Sequence, residues 1–194
     1  MAPNITDKSS KRLQFYILAS LFAALTAAGS FIRIPIPYVP ITLQTLFVIL
    51  SGSLLGAKFG ALSQLIYLAV GLLGAPIFSQ GGGPGYIFQP TFGYLLGYPL
   101  AAFTIGYLLW GRNFPGSIES PTFLKICLVT TIGVLVIFIP GVTVLYLNLK
   151  YIVAKPIPFS KAVWVGFAVF IPGDIIKVMV TSILTFRLRK ILSI

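Results

Sequence analysis

The chain has 194 residues, 57% of them hydrophobic and 9% charged, with a formal net charge of +11. A soluble domain needs roughly 25% charged residues to cover its surface, so this composition excludes one and points to a chain solvated by lipid. There is no histidine, and the three acids are Asp7, Glu119 and Asp174, which removes Ser-His-Asp and Cys-His catalysis, paired-carboxylate chemistry and a metal cage.

No catalytic residue and no metal site is therefore expected. The basic residues stand singly at the ends of apolar runs, a topology signal and not a nucleic-acid face. Cys127, the single cysteine, lies inside an apolar run and reads as a small buried hydrophobe.

Apolar stretches long enough, or nearly so, to cross a ~30 Å hydrocarbon core fall at about 13–32, 41–57, 59–75, 91–110, 124–147 and 162–186. They predict an all-α, polytopic membrane protein with six transmembrane helices in a single integral membrane domain over 1–194. The first stretch follows Lys8, Lys11 and Arg12 and ends in Ala27-Ala28-Gly29-Ser30. That is also the outline of a cleaved leader, but the stretch is read as a retained first span. Within it Ala19, Ala23 and Ala27 recur every four positions, with Ser20, Ala24 and Ala28 beside them. In lipid, close backbone approach through small residues drives helix packing, so this doubled stripe could present a flat face to another protein.

The segment from Arg33 to Pro40 holds three prolines and predicts a stiff, extended connection. Spans two and three are separated only by Lys58, which predicts a tight turn. Gly52, Gly56 and Gly60 share a four-residue spacing, as do Gly93 and Gly97, and read as internal packing contacts. The connection Ser79 to Pro90 carries Gly81-Gly82-Gly83-Pro84-Gly85 between Gln80, Tyr86 and Gln89. No Gly-Lys-Ser/Thr follows, so it is not a Walker A loop; it reads equally as a mobile connection or a ligand lid.

The sixth stretch is interrupted by Pro172-Gly173, which predicts a short helix followed by the true span. Asp174 and Lys177 stand three apart, on one helix face, inside an otherwise apolar run. Charges at membrane depth pair with each other or face a polar cavity, so this pair is either a structural salt bridge or part of a binding site. Even-numbered spans put both termini on one side. That side carries nine basic residues (Lys8, Lys11, Arg12, Lys58, Arg112, Lys125, Arg187, Arg189 and Lys190) against four on the other (Arg33, Lys150, Lys155 and Lys161). The bias predicts cytoplasmic termini.

Four segments then carry a resemblance. Ile34-Pro-Ile-Pro-Tyr-Val-Pro-Ile-Thr-Leu-Gln-Thr-Leu46, Leu54-Leu-Gly-Ala-Lys-Phe-Gly-Ala61, Pro90-Thr-Phe-Gly-Tyr-Leu-Leu-Gly97 and Pro172-Gly-Asp-Ile-Ile-Lys177 resemble, in order, the BioY family. These are the biotin-binding S components of energy-coupling-factor (ECF) transporters. The resemblance implies an ECF S-component-like bundle in the cell (inner) membrane that captures biotin from outside and is not an enzyme. It further implies a transmembrane coupling subunit and two ATPase subunits as partners, with ATP used only by them and no cofactor on this chain; some members transport without those partners. Asp174 and Lys177 would hold the ureido group of biotin, with Thr42, Gln44, Gln80, Tyr86 and Gln89 as further hydrogen-bonding candidates. Ala19, Ala23 and Ala27 would form the contact face for the coupling subunit. One departure stands out: the family's G-P-T-G-G-Y reads Gln89-Pro90-Thr91-Phe92-Gly93-Tyr94, implying altered pocket shape or loop packing. The alternative is a membrane scaffold or assembly subunit without a small-molecule ligand, which would have no need of Asp174 and Lys177 beside a glycine-rich loop.

Overall fold

The computed structural model describes residues 5–111 and 121–192. Arg112 and Glu119 lie outside the described residues, as do the side chains of Asp7, Lys8, Lys11, Arg189 and Lys190. The chain is a bundle of α1 (Ile5–Phe31), α2 (Gln44–Leu72), α3 (Phe92–Trp110), α4 (Phe123–Tyr151), α5 (Phe159–Gly166) and α6 (Ile171–Leu192). Between α1 and α2, β1 (Arg33–Ile34) pairs antiparallel with β2 (Ile41–Thr42), so the proline-rich connection closes on itself.

α2 is not a straight rod. Gly56 adopts φ 76° and ψ −179°, a conformation that only glycine takes without strain. A Cβ built on Gly60 would lie 2.8 Å from the Cα of Gly52, whereas eight residues of straight helix rise about 12 Å. Gln64 likewise donates to the hydroxyl of Ser51 at 3.2 Å across the fold. The helix therefore reverses at Gly56, and its arms, 44–55 and 57–72, overlap the stretches 41–57 and 59–75. Among the described residues five helices are long and apolar enough to cross a membrane, and α2 is counted among them as one although it doubles back. Each arm is short, and α2 is accordingly the most enclosed of the spans, with 61% of its apolar window buried.

Small residues set the helix spacing. Gly93 and Gly97 bring α3 against the backbone of Pro140 and Ile137 in α4, leaving no room for a Cβ. Gly52 packs the same way on Ala102 of α3. Gln64 also donates to the hydroxyls of Thr26 (3.3 Å) and Ser63 (2.9 Å), fastening α1 to the hairpin with polar glue. Large apolar side chains such as Leu124, Leu128, Leu135 and Ile139 on α4 point outward, a surface suited to lipid tails.

Two expectations need correction. The break before α6 falls at Phe167 (φ −136°, ψ −59°), between α5 and a 3-10 turn over Ala168–Phe170, and not at Pro172-Gly173. Pro172 is the second residue of α6, where a missing N–H leaves no helix bond unmade. Ala19 and Ala23 are 0% and 6% exposed, and Ala27 is half-buried against the core. These alanines seat α1 against this chain's own interior, so Ala19 and Ala23 cannot form an outward partner face. The adjacent stripe, Ser20, Ala24 and Ala28, is the exposed one.

Candidate functional site

Because α2 doubles back, its two free ends meet at one end of the bundle. There the 33–43 connection, the 73–91 connection and the first turns of α6 converge. The 73–91 connection is built from short local bonds. Phe78 and Gly81 exchange backbone bonds (2.8 and 3.2 Å), and the Gly83 amide donates to the carbonyl of Gly71 (2.8 Å). Gly83 sits at φ 95°, and a Cβ at Gly82 would fall 2.0 Å from the carbonyl oxygen of Ala75. A 3-10 turn follows at Pro84–Phe88, clamped to α4 by Asn148, whose amide donates to the carbonyl of Phe88 at 2.6 Å.

Beneath these connections lies a cavity of about 30 Å³, floored on one side by Lys177. One wall is polar: Thr42, Gln44 and Thr45 at the start of α2, with Ser79 and Thr91 from the 73–91 connection. The other is aromatic and aliphatic: Tyr94 and Tyr98 of α3, Ile137 and Phe138 of α4, and Phe170 before α6. Tyr94 stacks on Phe170 (centroids 6.2 Å apart) and meets Phe138 edge-on at 5.9 Å. The Tyr94 hydroxyl donates to the carbonyl of Gly166 at 2.7 Å, holding the α5 end over α3.

Asp174 and Lys177 are both buried, 5% and 6% exposed, and Lys177 Nζ lies 2.9 Å from Asp174 Oδ1. The second carboxylate oxygen, Oδ2, is buried without a hydrogen-bond partner among the described residues. An ionised oxygen buried and unmet is costly, which marks Asp174 as a group with an acceptor to spare. Asp174 also stands in the first turn of α6, where the helix end favours an anion.

The remaining sequence candidates divide. Thr42 and Gln44 line the cavity, but Gln44 is already engaged: its Oε1 accepts from the Thr42 hydroxyl at 2.9 Å and its Nε2 donates to the Tyr67 hydroxyl. Tyr67 in turn donates to the carbonyl of Ile77 at 3.2 Å. Gln44 therefore positions the two connections relative to each other. Gln80 and Gln89 are exposed and do not line the cavity, contrary to expectation. Tyr86 is buried, yet its hydroxyl accepts from Thr91 at 2.9 Å and lies 3.4 Å from Ser79, so it props the connection from beneath. Phe92 packs partly buried against the core while Gln89 faces outward, so the altered motif changes how the loop packs and not the cavity wall.

The residues missed by sequence reasoning are the aromatic wall and Tyr98, whose hydroxyl lies beside Thr42 and Thr45. Tyr94 and Tyr98 stand four apart on one face of α3, a spacing visible in the sequence but indistinguishable there from ordinary core packing. Ser79 carried no signal beyond lying in a loop, and Thr91 was visible only as part of the Pro90–Gly97 motif at the start of the fourth apolar stretch.

The family model described as the BioY family matches residues 4–194. A relative from Lysinibacillus sphaericus, named as a probable biotin transporter BioY, is 42% identical over 175 residues, covering 90% of this chain and 86% of that protein. The biotin transporter BioY of Thermotoga maritima is 37% identical over 176 residues, covering 90% and 95%. Among solved structures, the S-component for biotin from an ECF-type ABC transporter superposes with a TM-score of 0.78 at 27% identity, covering 97% of this chain and 95% of that one.

Proposed function

The chain belongs to the BioY family, and from that membership we propose that it captures biotin at the Lys177 cavity as the substrate-binding subunit of an ECF-type transporter. It is a multi-pass membrane protein engaged in biotin uptake and not an enzyme. The observation that carries the site is Asp174 Oδ2, buried and unpartnered in an ion pair whose lysine lines the cavity.

The chemistry is complementary. The ureido ring of biotin offers N–H donors, which a carboxylate oxygen accepts, and a carbonyl, to which an ammonium donates. Its sulfur-containing ring and aliphatic chain suit the Tyr94, Phe138 and Phe170 wall. Energy comes from elsewhere, since the sequence carries no nucleotide-binding motif. A membrane coupling subunit and two ATPases supply it, and the exposed Ser20, Ala24 and Ala28 stripe on α1 is the face offered to the coupling subunit. The termini lie in the cytoplasm and the cavity opens to the outside.

Tritiated-biotin binding to the purified chain, without ATP or partners, tests the reading. Saturable binding competed by unlabelled biotin is expected; no binding in a folded, monodisperse preparation refutes it.

A further inference from the structure

We infer that Arg33 is the residue that recognises the carboxylate of the ligand, at the rim of the cavity opposite Lys177; the inference rests on the biotin reading above. Three observations place the guanidinium there. Arg33 and Thr42 are direct partners in the β1–β2 ladder, and directly paired residues of an antiparallel ladder project from the same face. Thr42 lines the cavity, so the Arg33 side chain leaves the ladder on the cavity side. Its Nη1 donates to the carbonyl of Ser79, a second cavity-lining residue on the other connection. The guanidinium thus bridges the two connections that cover the site.

The charge arithmetic points the same way. A ligand with a neutral ureido head and an anionic tail needs a cation at each position for a different reason, and the Lys177 charge is already matched by Asp174. Lys150, in the last turn of α4, lies over the rings of Tyr146 and Tyr151 and does not line the cavity. Asp174 is the one acidic side chain among the described residues, so no described carboxylate competes for Arg33. Of five guanidinium N–H donors, the bond to Ser79 uses one, leaving a fork free for a carboxylate. Arg33 is exposed, as a residue that meets an incoming anion must be.

The test compares biotin with biotinamide, its uncharged amide, on the wild-type chain, Arg33→Gln and Arg33→Lys. Wild type should prefer biotin by roughly 10- to 100-fold, the range for a charge-assisted contact. Arg33→Gln should bind biotin that much more weakly while holding biotinamide within about twofold, so the preference disappears; Arg33→Lys should keep part of it. Retained biotinamide binding reports that the site is still folded. Equal loss of both ligands in Arg33→Gln, or no wild-type preference, overturns the assignment and leaves Arg33 a latch between the connections. Failure of the wild type to bind either ligand instead overturns the biotin reading itself.

Discussion

Gln44 and Tyr67 stand 23 positions apart in one helical element, yet the Gln44 side-chain amide donates to the Tyr67 hydroxyl. In a straight helix they would be separated by about 35 Å. Their contact closes the open end of the α2 hairpin, and Tyr67 passes it on to the carbonyl of Ile77. The covering connections are thereby hydrogen-bonded to each other through the hairpin, in the order Thr42, Gln44, Tyr67, Ile77.

Tyr67→Phe removes both bonds from a residue that is 1% exposed. Buried partners left unmet cost about 1–3 kcal/mol. Thermal unfolding should reveal that loss, and biotin should dissociate several-fold faster because the 73–91 connection loses its anchor. An unchanged dissociation rate would show that the chain of bonds does not hold the cover closed.

The glycine-rich connection makes an independent prediction. Gly83 holds φ 95°, where a β-branched side chain is severely strained. Gly83→Val should disfavour the closed cover, so that biotin release accelerates and affinity falls about tenfold with the bundle intact. Stopped-flow release separates this from a folding defect, and unchanged release would leave the segment a plain connection.

The α1 stripe can be tested on both faces. Ala19 is 0% exposed, and inserting a large ring there overpacks the α1–α2 contact at a cost of 1–3 kcal/mol or more, so Ala19→Trp should lower the melting temperature sharply. Ala24 is exposed. Ala24→Trp should preserve stability and biotin binding while preventing co-purification with a coupling subunit. Retained co-purification would remove this face from the partner surface.

The proposed orientation can be tested on the hairpin. Lys58 is exposed beside the Gly56 reversal, at the opposite end from Gln80. In a Cys127→Ala background, Gln80→Cys should react with an impermeant thiol reagent from outside, and Lys58→Cys only after permeabilisation. The reverse pattern would invert the topology. Ser193 would be the natural inner reporter, but it lies outside the described residues.

Much of this arrangement was legible in the sequence, for identifiable reasons. Hydropathy over long windows marked out apolar stretches that the long helices overlap, because lipid demands such runs, and Lys58 between two short runs signalled the reversal that Gly56 makes. Which alanine stripe of α1 faces inward was not legible, since two neighbouring small-residue stripes present the same pattern to lipid and to protein. Pro172 looked like a break because composition does not reveal whether a proline falls in the first turn or the middle of a helix. Gln80 and Gln89 were misplaced because loops have no period from which side-chain direction can be read.

The ion pair at the cavity floor admits two roles that mutation separates. As a purely structural pair, removing one partner of Asp174–Lys177 strands a buried charge at a cost of about 3–5 kcal/mol, while removing both restores stability. If it also holds the ureido group, stability and affinity part company. Asp174→Asn should weaken biotin by roughly 10- to 150-fold, through loss of a charge-assisted bond worth about 1.5–3 kcal/mol. Asp174→Asn combined with Lys177→Met should recover much of the melting temperature, because no lone charge remains. It should nevertheless bind biotin more weakly than either single variant, because both ureido partners are gone. Thermal stability and biotin affinity, measured on all four proteins, complete the cycle. Affinity that returns together with stability in the double variant would reduce Asp174 and Lys177 to a structural pair and remove the ureido contact from the site.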